Sequence, residues 1–144
     1  MFTKILVPTD GSDLSVRAIK GAVELAGKVG ARLVGLTVVE PYAYASLSEY
    51  RPETVAEYEQ RADEVAHERL AALERLAQKG GVTVETTVVR SFSPFDAIIE
   101  SAKRYGCDAI CMASHGRRGL GAVLLGSETQ KVLTHSTIPV VVYR

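Results

Sequence analysis

At 144 residues the chain has the length of one domain and can bury a core without disulfides or metal. Apolar residues make up 47% and charged residues 24%, which excludes a disordered or low-complexity chain. Lys and Arg total 17 and so do Asp and Glu, so no excess positive charge exists to draw it to nucleic acid or an anionic membrane.

The first residues, Met1 to Pro8, hold too short an apolar run for a signal peptide, and no stretch reaches membrane-spanning length, so a cytoplasmic protein is expected. Ile5 to Val7 is a short apolar strand and Leu33 to Val39 another, with helical spacing between them at Leu14, Ala18, Ile19, Ala22, Val23, Ala26 and Val29. Asp10-Gly11-Ser12 turns the chain into that helix, and Gly30 lies where a left-handed cap would end it. A second helix is expected from about Pro52 to Lys79, with Pro52 in its first turn and a stripe of Val55, Tyr58, Ala62, Val65, Leu70, Leu73 and Leu76. Gly80-Gly81 stops it.

Val82 to Val89 alternates like an edge strand. Ser93-Pro94-Phe95-Asp96 then opens a third helix, with Ser93 as cap and Asp96 reaching back across a capping box, and Gly106 closes it. A strand from Ala109 to Ser114, a glycine-rich loop, a helix from about Ser127 to His135 and a strand from Pro139 to Tyr143 complete the chain. Proline in the last strand favours an edge. Cys107 and Cys111, four apart, match neither a redox pair nor a zinc knuckle and read as small packing residues.

Strands alternating with helices imply right-handed parallel crossovers: a doubly wound five-stranded α/β sheet with helices on both faces. Order 3-2-1-4-5 opens a crevice between strands one and four, where ligands of such sheets bind. The alternative order, 2-1-3-4-5, would separate the loop at Asp10 from the glycine-rich loop.

That glycine-rich loop, His115 to Ser127, leaves a strand and enters a helix. Glycine lets backbone approach an anion, and the helix start offers amides and a positive dipole end. One helix terminus supplies only about 0.3 to 2 kcal/mol, so phosphate binding needs several amides together with Arg117 or Arg118. The competing reading is a surface loop with solvated arginines and an exposed His115. It is neither a Walker A loop, for Ser127-Glu128 follows Gly126 without lysine, nor a dinucleotide fingerprint, for Gly119-Leu120-Gly121 lacks the third glycine.

Ala113-Ser114-His115-Gly116, nine further residues, then Gly126-Ser127 resembles the nucleotide-binding signature of the universal stress protein family, G-x2-G-x9-G-[ST]. Ile5 to Ser12, Thr37 to Glu40 and Ile138 to Val142 resemble that family too. The resemblance implies an ATP site bounded by Pro8, Thr9 and Asp10. Val38 would meet adenine through its backbone, Met112 and Ala113 would lie by the ribose, and Gly116, Gly126, Ser127 and Thr129 would hold phosphates beside Arg117 and Arg118. Asp10 would sit by the phosphates or a bridging Mg2+, or else shape the turn. Ala113 replaces the first motif glycine, and Glu128 stands where similar proteins carry a small apolar residue; it is expected to face solvent.

Similar proteins form dimers through the last strand, and pairing would cover that exposed edge. Among the candidate functions, an ATP-binding stress-response module without turnover leads. Slow Mg2+-dependent ATP hydrolysis, preference for AMP or cyclic AMP, and a nucleotide-free structural dimer are the alternatives. No Ser, His and acid set lies in the context of a hydrolase elbow, so no residue is assigned to catalysis.

Overall fold

The computed structural model describes residues 1–43, 53–116 and 124–144. Within them run β1 (Lys4–Pro8), α1 (Asp13–Val29), β2 (Arg32–Val39), α2 (Val55–Lys79), β3 (Val84–Arg90), α3 (Pro94–Arg104), β4 (Ala109–Ala113), α4 (Ser127–His135) and β5 (Val140–Tyr143). All strand pairings are parallel and the order is β3-β2-β1-β4-β5, so the crevice lies between β1 and β4.

Side-chain alternation on each strand sorts the core into two layers. Ile5, Val7, Leu33 and Cys111 point to one face, where Ile19, Ala22 and Ala26 of α1 and Leu73 and Ala77 of α2 cover them. Leu6, Val34, Leu36, Ile110 and Met112 point to the other, against Ile98 and Ala102 of α3 and Val132 of α4. Each fully buried aliphatic side chain contributes about 1.5 to 3 kcal/mol, and these layers supply the bulk of the driving force. Both cysteines are unpaired and buried, and burial pushes each thiol up to about 11, consistent with packing residues.

Of the stripe expected along α2, Leu70 and Leu73 are buried and Val65 and Leu76 half-buried, with Ala66 and Ala77 buried beside them, while Val55 is 48% exposed. Geometry explains this. At 1.5 Å per residue α2 is about 37 Å long, whereas the eight residues of β2 span about 26 Å, so its first turns overhang the sheet. The helix opens with a complete capping box, Thr54 and Glu57, and Pro52 lies outside the described residues.

Strand β3 begins two residues later than expected, at Val84. Val82 is buried and Thr83 accepts the Leu33 amide (2.9 Å) before the ladder proper starts. The capping box expected at α3 is absent: the Ser93 hydroxyl donates to Asp96 Oδ2 (2.7 Å) and no side-chain cap forms from Ser93.

Candidate functional site

The site begins where two strands lean apart. β1 pairs with β2 along its whole length, to Pro8 beside Leu36, but with β4 at Ile5 and Leu6. Beyond that point the Thr9 amide donates to the Leu36 carbonyl (2.8 Å) and the Thr37 hydroxyl to the Thr9 carbonyl (2.9 Å), holding the chain against β2. On the other side, the Ser114 amide donates to the Tyr143 carbonyl (2.8 Å), drawing β4 toward β5. Between them opens a cleft of about 530 Å3.

One wall is the turn from β1 into α1. Asp10 Oδ1 accepts the Ser12 amide (3.0 Å), Gly11 sits at φ 79°, and Ser12 caps α1 by accepting the Ser15 amide (3.2 Å). Thr9 and Ser15 hydroxyls meet at 3.1 Å beneath it. Asp10 thus shapes the turn, the second of its two expected roles, and it also lines the cleft.

The opposite wall is the entry to α4. The Gly126 amide donates back to the Ser114 carbonyl (2.8 Å), and the first helical bond runs from the Gln130 amide to the Gly126 carbonyl (3.0 Å). Gly126 caps the helix with no side-chain acceptor, so the amides of Ser127, Glu128 and Thr129 have no acceptor within the helix. Two assignments change here. Gly126 cannot offer its own amide to a ligand, and its importance is steric, because a Cβ there would lie 3.0 Å from His115 Cα. The Thr129 hydroxyl donates to the Ala113 carbonyl (3.0 Å) and the residue is 3% exposed, so it ties α4 to β4 rather than presenting a donor.

Glu128 does not face solvent freely. Its Oε2 accepts the Phe95 amide (2.8 Å), and Lys131 lies 3.4 Å from Oε1. With the Ser93 hydroxyl turned to Asp96, the start of α3 needs an acceptor, and Glu128 supplies it from 33 residues away. Phe95 also meets the Lys131 ammonium at 5.4 Å and stacks on His135 at 5.4 Å, fastening α3 to α4.

The third wall is the end of β2 and the connection from β3 to α3. The Leu36 carbonyl bonds toward β1 and the Val39 carbonyl accepts the Ser91 amide (3.0 Å) on the β3 side. By the two-residue period, the Val38 amide and carbonyl turn toward the gap that β1 has left. Leu36, Val38, Phe92, Pro94 and Ile98 make this end apolar.

Pro8, Thr9, Asp10, Val38, Met112, Ala113, Gly116, Gly126, Ser127 and Thr129 all line the cleft, so the structure brings these expected residues together. Arg117 and Arg118 lie outside the described residues. Ala113 sits in extended β4 and no described non-glycine residue has positive φ, so its methyl group is accommodated without strain. Sequence reasoning missed Ser15, Leu36, Glu40, Phe92, Pro94 and Ile98 as lining residues, and it placed His115 and Glu128 outside the cleft. Topology was the usable signal, since every strand of a parallel sheet delivers its exit loop to the same end.

Among the described residues no three His, Cys, Asp or Glu side chains gather to hold a metal by themselves. Asp10 fits the other arrangement, in which Mg2+ takes one protein carboxylate and completes its shell with ligand phosphates and water. No described helix is long and apolar enough to cross a membrane.

A doubly wound α/β sheet with a cleft at its switch point, polar at one end and apolar at the other, defines a class of small-ligand binder. The model for the universal stress protein family matches residues 1–144. The universal stress protein YxiE of Bacillus subtilis is 36% identical over 151 residues, covering all of both chains. The structure solved for hypothetical protein MJ0577 of Methanocaldococcus jannaschii aligns with TM-score 0.83 and 29% identity over 99% of this chain and 96% of that one. A universal stress protein solved in complex with cAMP aligns with TM-score 0.74 and 26% identity, over 99% and 97%. The chain belongs to the universal stress protein family.

Proposed function

We propose that this chain is one cytoplasmic nucleotide-binding domain that holds ATP or another adenine nucleotide in the β1–β4 cleft and acts as a dimeric stress-response module. The observation that carries the reading is the division of one cleft of about 530 Å3 into two unlike ends. Amides of the α4 start and the Asp10 turn suit phosphates, and the Val38 backbone edge with its apolar neighbours suits a base. Ser127 adds a hydroxyl at the phosphate end, and Mg2+ shared between Asp10 and phosphate oxygens would offset the repulsion of two anions. Dimerisation along β5 is supported by its position at the sheet edge with Val140 to Tyr143 half-buried.

A second reading, preference for cyclic AMP or AMP, is favoured by two observations. A protein 26% identical was solved with cAMP, and Glu128, a lining residue in the first turn of α4, brings a negative charge to that end, which disfavours a long run of phosphate charge. Isothermal titration of purified protein with ATP, AMP and cyclic AMP, with and without Mg2+, decides between them. Nucleotide released by heat denaturation identifies any ligand that co-purifies. Absence of binding by all three overturns the function. Steady ATP consumption that Asp10→Ala abolishes would replace a passive module with a hydrolase.

A further inference from the structure

Five large apolar side chains among the described residues are exposed: Met1, Val55, Phe92, Leu124 and Leu133. Of these Phe92 alone lines the cleft, and it is the aromatic one, 63% exposed. Scattered exposed apolar residues need no explanation, but this ring stands at the apolar end of a ligand-sized cavity.

The backbone that carries it is tied down. The Ser91 amide donates to the Val39 carbonyl (3.0 Å), seating the turn after β3 against the end of β2. Within that turn Ser91 Oγ accepts the Ser93 amide (3.0 Å) and donates to the Ser93 carbonyl (3.2 Å). Phe92 is the apex of this doubly tied turn, so its backbone is ordered before a ligand arrives and only the ring's own rotamer has to be fixed on binding. Pro94 stiffens the next step into α3.

We infer that Phe92 is a base-recognition platform: its ring receives one face of the purine, and it selects ligands that carry a planar base over sugar phosphates that do not. The inference rests on the nucleotide reading of the cleft and extends it to the residue that discriminates ligands. A ring so exposed loses unfavourable hydration when covered, and a base offers a flat partner whichever phosphate chain it carries. Phe92 thus contributes equally to ATP, AMP and cyclic AMP, while the α4 end tells them apart.

The sequence contains no tryptophan, so Phe92→Trp places a single indole at this position. AMP should quench its fluorescence on binding, whereas ribose 5-phosphate, which lacks the base, should not. Phe92→Ala should weaken AMP by about tenfold in calorimetry with an unchanged melting temperature, and Phe92→Tyr should recover most of the affinity. If wild type and Phe92→Ala bind AMP equally and the indole is not quenched, the platform is wrong while the cleft stands. Should Phe92→Ala change sedimentation and leave AMP affinity alone, the ring belongs to a protein contact and the inference fails. If no adenine nucleotide binds wild type, the reading of the cleft fails and the platform with it.

Discussion

Two pairs of glycines, one at each end of the parallel sheet, are glycine for opposite reasons. At the end where strands begin, Gly30 and Gly106 close helices at φ 72° and 67°, and an added Cβ at either would meet nothing within 4 Å. There the backbone angle is what excludes a side chain. At the end where strands stop, Gly116 and Gly126 carry no positive φ, yet a Cβ would lie 2.5 Å from Asp10 Oδ2 at the first and 3.0 Å from His115 Cα at the second. Space is what excludes it.

The polar groups divide in the same way. At the starting end Asp108 accepts the Thr3 amide (2.9 Å), the Thr3 hydroxyl (2.8 Å) and the Lys4 amide (3.1 Å), while its own amide donates to the Lys4 carbonyl (2.9 Å). Donors there are consumed internally, and the end is structural. At the other end α4 starts without a side-chain cap. Among the described helices, α1 is capped by Ser12, α2 by a full box and the α3 start by Glu128 from α4, whereas Gly126 leaves the α4 start without a cap beside the cleft.

Substitutions test that division. Gly126→Val should have the largest effect, on the order of 3 kcal/mol of stability, because its branched side chain meets the His115 backbone. Thermal denaturation reads this out, and a wild-type melting temperature would show that the loop yields. Loss of nucleotide binding by this variant therefore cannot be read apart from loss of fold.

Asp108→Ala should cost about 2 kcal/mol, since the Thr3 and Lys4 donors lose their acceptor. Burial raises the Asp108 pKa, but bonds from Thr3 and Lys4 outweigh it and the net direction is down. A depressed folded pKa gives stability that is present above the unfolded value, about 3.9, and is lost as pH falls through the folded value. Urea denaturation across acid pH should show this loss in wild type and a flatter profile in Asp108→Ala. Equal slopes would remove Asp108 from the account.

Gly30→Ala should cost about 1 kcal/mol by backbone strain alone, and Gly30→Asn less, with nucleotide affinity untouched in both. Gly116→Ala should be the mildest for stability, below about 0.5 kcal/mol, because an exposed loop residue asks one carboxylate to rotate. It should nonetheless weaken nucleotide binding in calorimetry by moving Asp10. An unchanged affinity would mean that the Asp10 position is immaterial.

The sheet order was legible because strand and helix periods differ and because the two loops of interest had to meet. The expected cleft residues came partly from a motif with fixed spacing and partly from a wider family resemblance, and those among the described residues line one cleft. What escaped was set by distant partners. Glu128 takes its position from an amide on α3, which spacing within α4 cannot reveal. Phe92 reaches the cleft by topology, and the loss of the Gly126 amide depends on how the loop folds back on Ser114.

The seam between β1 and β4 is two residue pairs long, against five between β1 and β2. The depth of the cavity is therefore written in main-chain pairing, before any side chain is chosen. Substitutions among the lining side chains can therefore change which guest the hollow suits while the main-chain pairing that opens it stays the same.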